Sequence, residues 1–196
     1  APAPTARTSN KAKVLRLLLG LPGPDGALPD LPAWPTQAEV ARRSELTQAT
    51  VSRHHKAAIS EWAGAAWLGP VRNEIVEHVR ALGGVATAAE LAAGLRVRHG
   101  TAAWLPAERM TAMALAVLRA AVEAEMYIGV ERSEESEPRL NRLRRGGQVL
   151  VALESLPGTE DPTPGELADY AQELGRVAAE LAGAEPLPGR AEVLRA

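Results

Sequence analysis

The sequence predicts a mostly α-helical fold: a capped helix pair near the front, a second helical unit ending in a small β-hairpin, and helices towards the C-terminal end. Three observations predict it. Apolar residues recur at helical spacing along much of the chain, and the apolar content is largely Ala, Leu and Val with no Phe, a mixture that favours closely packed helices. Thr-x-x-Glu pairs stand at Thr36/Glu39 and Thr87/Glu90, where a hydroxyl and a carboxylate can satisfy the free N–H groups that open a helix. Two β-like runs flank Gly146-Gly147, the signature of a tight hairpin.

In chain order, residues 1–8 are Pro/Ala-rich and predict a linker. Lys11 to Leu19 predicts a short helix packing across the pair that follows, with Lys11, Lys13 and Arg16 fit either for phosphate or for solvent. Gly20 to Pro35 holds five Pro and three Gly and predicts a loop, pinned by Leu28, Leu31 and Trp34. In the pair itself, Thr36 caps the first helix, whose Val40 and Ala41 face inward. Ser44-Glu45-Leu46 forms the turn, and Thr47 caps the second helix, with Val51, Ala58 and Ile59 as its buried stripe. Glu45 takes the place where such turns often carry Gly, and a left-handed residue other than Gly costs about 1 kcal/mol.

That pattern leaves Gln48, Ala49, Ser52, Arg53 and Lys56 outward. Gln and Arg can pair bidentately with base edges, a small Ala can meet a thymine methyl, and Ser and Lys can hold phosphates. Thr47 and Gln37 would stand at phosphate. The stretch TQAEVARRSELTQATVSRHHKAA resembles helix-turn-helix units of bacterial regulators and of sigma-factor region 4, which implies that the second helix lies in a major groove. The plain alternative is a capped helix pair with a few surface charges. His54 and His55 are adjacent, point in different directions, and read as surface or phosphate-proximal residues rather than metal ligands.

The second unit begins with a helix from Pro70 to Leu82, with Val71, Ile75, Val79 and Leu82 as its stripe. Gly83-Gly84 ends it, and Val85 is expected as a single β contact. The helix capped by Thr87 buries Leu91, Ala92 and Leu95. Leu105 to Met126 reads as an Ala-rich core helix, not a groove reader. Tyr127 to Val130, Arg139 to Arg144 and Gln148 to Leu153 are expected strands, so three helices followed by a hairpin give a winged-helix-like domain. Arg142, Arg144 and Arg145 on this wing suit a second DNA contact, although Glu134, Glu135 and Glu137 would oppose it; a charge-mixed, solvated hairpin is the other reading. Ser155 to Pro164 is an acidic linker. Gly165 to Leu181 is an amphipathic helix, and Arg190 to Arg195 begins another that the chain cuts short. The expected division is a linker at 1–8, a helix-turn-helix domain at 9–68, a winged-helix-like domain at 69–154, and an acidic linker with C-terminal helices at 155–196.

Composition bounds the function. A hydrophobic fraction of 46% over 196 residues is enough for a core. The net charge of −2 hides an asymmetry: residues 1–62 hold 8 Lys/Arg against 5 Asp/Glu, whereas residues 133–196 hold 7 against 12. Basic charge thus gathers where DNA would need it. Without Cys there is no disulfide or thiolate metal site, which fits a cytoplasmic protein. No apolar run reaches a membrane span, the start lacks an initiator Met, and the chain reads as a fragment of a longer protein.

The order WPTQAEVARR…TQATVSRHHKAAISEW, RNEIVEHVRALGGVATAAELAAGL, ERMTAMALAVLRAAVEAEM and PRLNRLRRGGQVLVAL resembles the region outside the kinase domain of large serine/threonine kinases from bacterial phage growth limitation (type 2 BREX) and related methylation-associated defence systems. The resemblance covers about Lys11 to Ala196. It implies a role in phage defence, with a DNA methyltransferase and other system subunits as partners. It implies no kinase activity here, because a Gly-rich phosphate loop, HRD and DFG are all missing. No other catalytic motif stands out, and the expectation is a non-enzymatic module without cofactor or metal whose partner is double-stranded DNA. The competing expectation is a protein-interaction platform within a defence complex. Oligomeric state is open at this level.

Overall fold

The structure is a computed structural model and describes residues 9–100, 104–128, 139–154 and 161–183. The linker expected at 1–8, the acidic run at Glu134, Glu135 and Glu137, residues 155–160 of the second linker and the helix expected at Arg190–Arg195 lie outside the described residues. Among the described residues are seven helices and one three-stranded sheet, a mostly α fold with a small β-hairpin.

Three helices form the first unit: α1 (Asn10–Leu18), α2 (Gln37–Ser44) and α3 (Gln48–Ala63). Each starts on a hydroxyl cap, Ser9, Thr36 and Thr47, and Thr36 and Glu39 complete a capping box. Val14, Leu17, Leu18, Val40, Ala41 and Val51 close the small core between them. Lys13 donates to the Ser44 carbonyl at 2.8 Å, and Lys11 pairs with Glu61 at 2.5 Å, so two of the three α1 cations hold the unit together.

The second unit contains α4 (Leu68–Ala81), β1 (Val85–Thr87), α5 (Ala88–His99), α6 (Ala107–Ile128), β2 (Arg139–Arg145) and β3 (Gln148–Glu154). The sheet is antiparallel with order β1-β3-β2. Val85 does not make the single contact expected; β1 is three residues long because Ala86 and its partner Val151 are both buried. Arg145 pairs with Gln148 across Gly146-Gly147, and both glycines take positive φ (54° and 80°), as a two-residue I′ hairpin turn requires.

Two expectations are corrected here. Of the strand expected at Tyr127 to Val130, Tyr127 and Ile128 belong to α6, which continues the helical run expected over Leu105 to Met126, and Gly129 and Val130 lie outside the described residues. Leu82 is 46% exposed rather than part of the α4 stripe, since it lies past the helix end; Arg72, on the inner face of α4, is buried instead. The Trp62/Trp67/Leu68 patch divides: Leu68 is buried and Trp62 packs on the core, while Trp67 is 55% exposed.

A second, larger core runs from Ile75, Val76 and Val79 through Leu91 and Leu118 to Leu140 and Val151, and it also takes in Trp34 from the first unit's loop. Helix α6 is its spine and packs on α3, α4, α5 and β2. The last helix, α7 (Pro164–Ala182), sits on the sheet by its first turns. Of its expected apolar stripe, Tyr170 and Leu174 remain 66% and 55% exposed, and the buried contact is Ala168.

Candidate nucleic-acid interface

The α2–α3 connection depends on Glu45, which adopts φ 60° and ψ 31° and caps α2 through bonds from its N–H to the carbonyls of Ala41 and Arg42. It is the one non-glycine residue at positive φ among the described residues. The turn is therefore tight, and Thr47 starts α3 at once, its hydroxyl accepting from the Thr50 N–H at 3.2 Å.

From this cap α3 presents two faces. Val51, His55, Ala58 and Ile59 are buried. Gln48, Ala49, Arg53 and Lys56 are exposed, and Ser52 is half-buried between them. Arg53 and Lys56, with Arg43 from the end of α2, have no ion-pair partner among the described residues. The outer face of α3 thus offers an amide, a small methyl, a hydroxyl and two cations to whatever lies against it.

The inner face is polar as well as apolar, and sequence reasoning missed this. His55 is not a surface residue: it is 8% exposed, and its Nε2 lies 2.6 Å from Glu123 Oε2 on α6. Gln37, expected at phosphate, turns its amide towards His55 Nδ1 at 2.9 Å. An amide donating to Nδ1 fits an imidazole whose proton sits on Nε2 and is donated to Glu123. The other Glu123 oxygen accepts from Arg119 Nε at 3.0 Å and from Trp34 Nε1 at 3.3 Å. Arg119 also donates to the carbonyls of Leu18 and Pro35. Burial opposes ionisation of Glu123 most strongly, yet the His55 bond and the Arg119 charge together outweigh it and hold the carboxyl below its usual range. Burial likewise lowers the Arg119 pKa, against the pull of Glu123. A second buried pair, Arg72 with Glu125 at 2.7 and 3.1 Å, ties α4 to α6. The sequence signal was present in Arg119 and Glu123, four residues apart inside an otherwise apolar helix face.

The hairpin arginines are engaged within the chain. Arg142 lies over the Trp34 ring at 6.0 Å, and Arg119 approaches the same ring at 5.4 Å. Arg144 donates to the Trp34 carbonyl. Arg145 pairs with Asp169 of α7 at 2.6 Å. The structure therefore brings Thr47, Gln48, Ala49, Ser52, Arg53 and Lys56 onto one outward surface, sets Gln37 behind it, and holds Arg142, Arg144 and Arg145 against Trp34 and α7.

No group of three or more His, Asp or Glu able to hold a metal occurs among the described residues. Among those residues, no helix is long and apolar enough to cross a membrane. No protein-family profile matches the chain, and no solved structure matches it. It is similar to a protein of Streptomyces coelicolor described as probable kinase PglW, with 37% identity over 190 residues. The alignment spans 94% of this chain but 12% of that protein, so this chain resembles one segment of a much longer probable kinase.

Proposed function

We propose that this chain is a non-catalytic, DNA-binding part of a bacterial phage-defence kinase, working in the cytoplasm beside other subunits of the defence system. In this reading α1–α3 is a helix-turn-helix unit and α3 enters the major groove. Gln48, Ala49, Ser52 and Arg53 face base edges, while Thr47 and Lys56 meet phosphate. The observation that carries the reading is the outward row on α3, with cations unpaired among the described residues, on a helix clamped from behind through His55 and Glu123. Gln37 serves as a support for His55 rather than as a direct contact.

The second unit is a winged helix: the element order α4-β1-α5-α6-β2-β3, with β1 beside β3, supports that assignment. Its third helix, α6, is covered by α3 along its middle and is not free to read a groove. Arg142, Arg144 and Arg145 contribute positive potential beside the duplex rather than base contacts, because their side chains are already committed. The relative is described as a probable kinase, and in this reading the present chain contributes positioning.

Arg53→Ala tests the proposal by fluorescence anisotropy with random duplex DNA at two salt concentrations. Weaker binding and a salt slope reduced by about one phosphate contact are expected. Unchanged affinity and slope remove Arg53 from the site. That outcome favours a second reading, a platform for protein partners, which the exposed apolar residues Trp67 and Trp104 support (55% and 81% exposed).

A further inference from the structure

Two surfaces at opposite ends of α5 are unoccupied by other described residues and complementary. At its N-terminal end a wide cleft of about 1290 Å³ opens between α7 and the sheet. Its walls are apolar, with Leu82, Tyr170 and Leu174 at 46%, 66% and 55% exposure. They also carry Glu90, Asp161 and Glu166, while the cleft's two cations are neutralised: Arg145 by Asp169, and Arg176 by Glu173 and Glu180. The cleft is therefore apolar with an acidic excess.

The other end of α5 is apolar with a basic excess. Its last turn carries Arg98, together with Arg96, which donates to Thr111 at 2.8 Å, and His99, which is paired with Glu74 at 2.7 Å. Val97 is 84% exposed there, and Trp104, just beyond, is 81% exposed. Arg98 is exposed and has no ion-pair partner among the described residues. Exposed Trp and Arg are the residue types enriched in binding hot spots.

We propose that the α5 C-terminal end of one copy, with Val97, Arg98 and Trp104, seats in the α7–sheet cleft of a second copy. The occupant is another copy because both halves of the match lie on this one chain. They cannot meet within it: α5 is twelve residues long and holds them about 18 Å apart. The contact is heterologous, so each pair keeps one free cleft and one free knob, and copies add head to tail. Apolar contact supplies most of the attraction, and Arg98 against the acidic wall sets the orientation. One helix end in one cleft is a small interface, so association is weak, in the micromolar range or above. It does not depend on the DNA reading, since neither surface involves α3.

The test is sedimentation equilibrium on the full chain from micromolar to millimolar concentration. The wild type is expected to gain mass with concentration beyond a dimer. Trp104→Ser, which removes the knob, and Leu174→Glu, which charges the cleft, are each expected to remain monomeric. Mixed in equal amounts they should form a 1:1 dimer that grows no further, because one good knob and one good cleft survive in the pair. Arg98→Glu should weaken wild-type association at least tenfold. Circular dichroism melts check that the variants fold; all three side chains are exposed, so melting should be unchanged. A wild type that stays monomeric throughout overturns the proposal. So does association that survives both single variants, or two folded variants that fail to pair when mixed.

Discussion

Glu45 shows how much one residue's backbone decides. Its left-handed conformation lets α2 stop and α3 start within three residues, yet a side chain there costs about 1 kcal/mol that glycine would not. Glu45→Gly is expected to raise stability by up to about 1 kcal/mol, less whatever the freer unfolded chain takes back, as read from urea unfolding. It also removes an exposed carboxylate from the α2–α3 turn, so under the proposed DNA reading duplex affinity should rise in the same variant. Arg53 was legible in the sequence because its exposure follows from helical period alone. His55 was not: it shares the helix with Arg53, but only α6, sixty-eight residues on, supplies the carboxylate that makes burial tolerable.

At the scale of elements, the caps were readable and the partners were not. Thr36/Glu39 and Thr87/Glu90 close their capping boxes as the residue spacing requires. The carboxyl of Glu39 is held below its usual range chiefly by the Thr36 backbone N–H. Thr36→Ala should lower stability by about 1 kcal/mol, measured by chemical denaturation, with the loss confined to α2 in amide exchange. The hairpin was equally local, since two glycines at positive φ leave the turn little choice. In contrast α7, amphipathic along its length, buries little beyond Ala168; the apolar period showed that it has a face to cover, not what covers it.

At the scale of the molecule, two apolar cores meet through a polar seam. Trp34, His55, Arg119 and Glu123 join the first unit to the second, and all four are buried. Removing one charge of such a seam strands the other: Glu123→Gln leaves the Arg119 charge without a carboxylate at 3% exposure and is expected to cost about 3–5 kcal/mol. The same carboxyl makes stability depend on pH. Its folded pKa lies below the ordinary 4.5, so the stability it contributes is present above that pH and is lost as the pH falls through the lowered value. Thermal melts between pH 3 and 7 should show a steep acid loss that Glu123→Gln flattens; equal slopes in both would mean that another carboxylate controls it.

What the sequence by itself determined is local: helix starts, the hairpin, the outward row on α3 and the mostly α class. Periodicity, hydroxyl caps and glycine freedom act within a few residues of where they are written. Only the tertiary structure decided that α6 is shared by both units and that the hairpin arginines turn to Trp34 and α7. It alone put a histidine expected at the surface at the centre of the molecule. Those outcomes depend on charges far apart in the chain finding each other out of water, and no local pattern encodes that pairing.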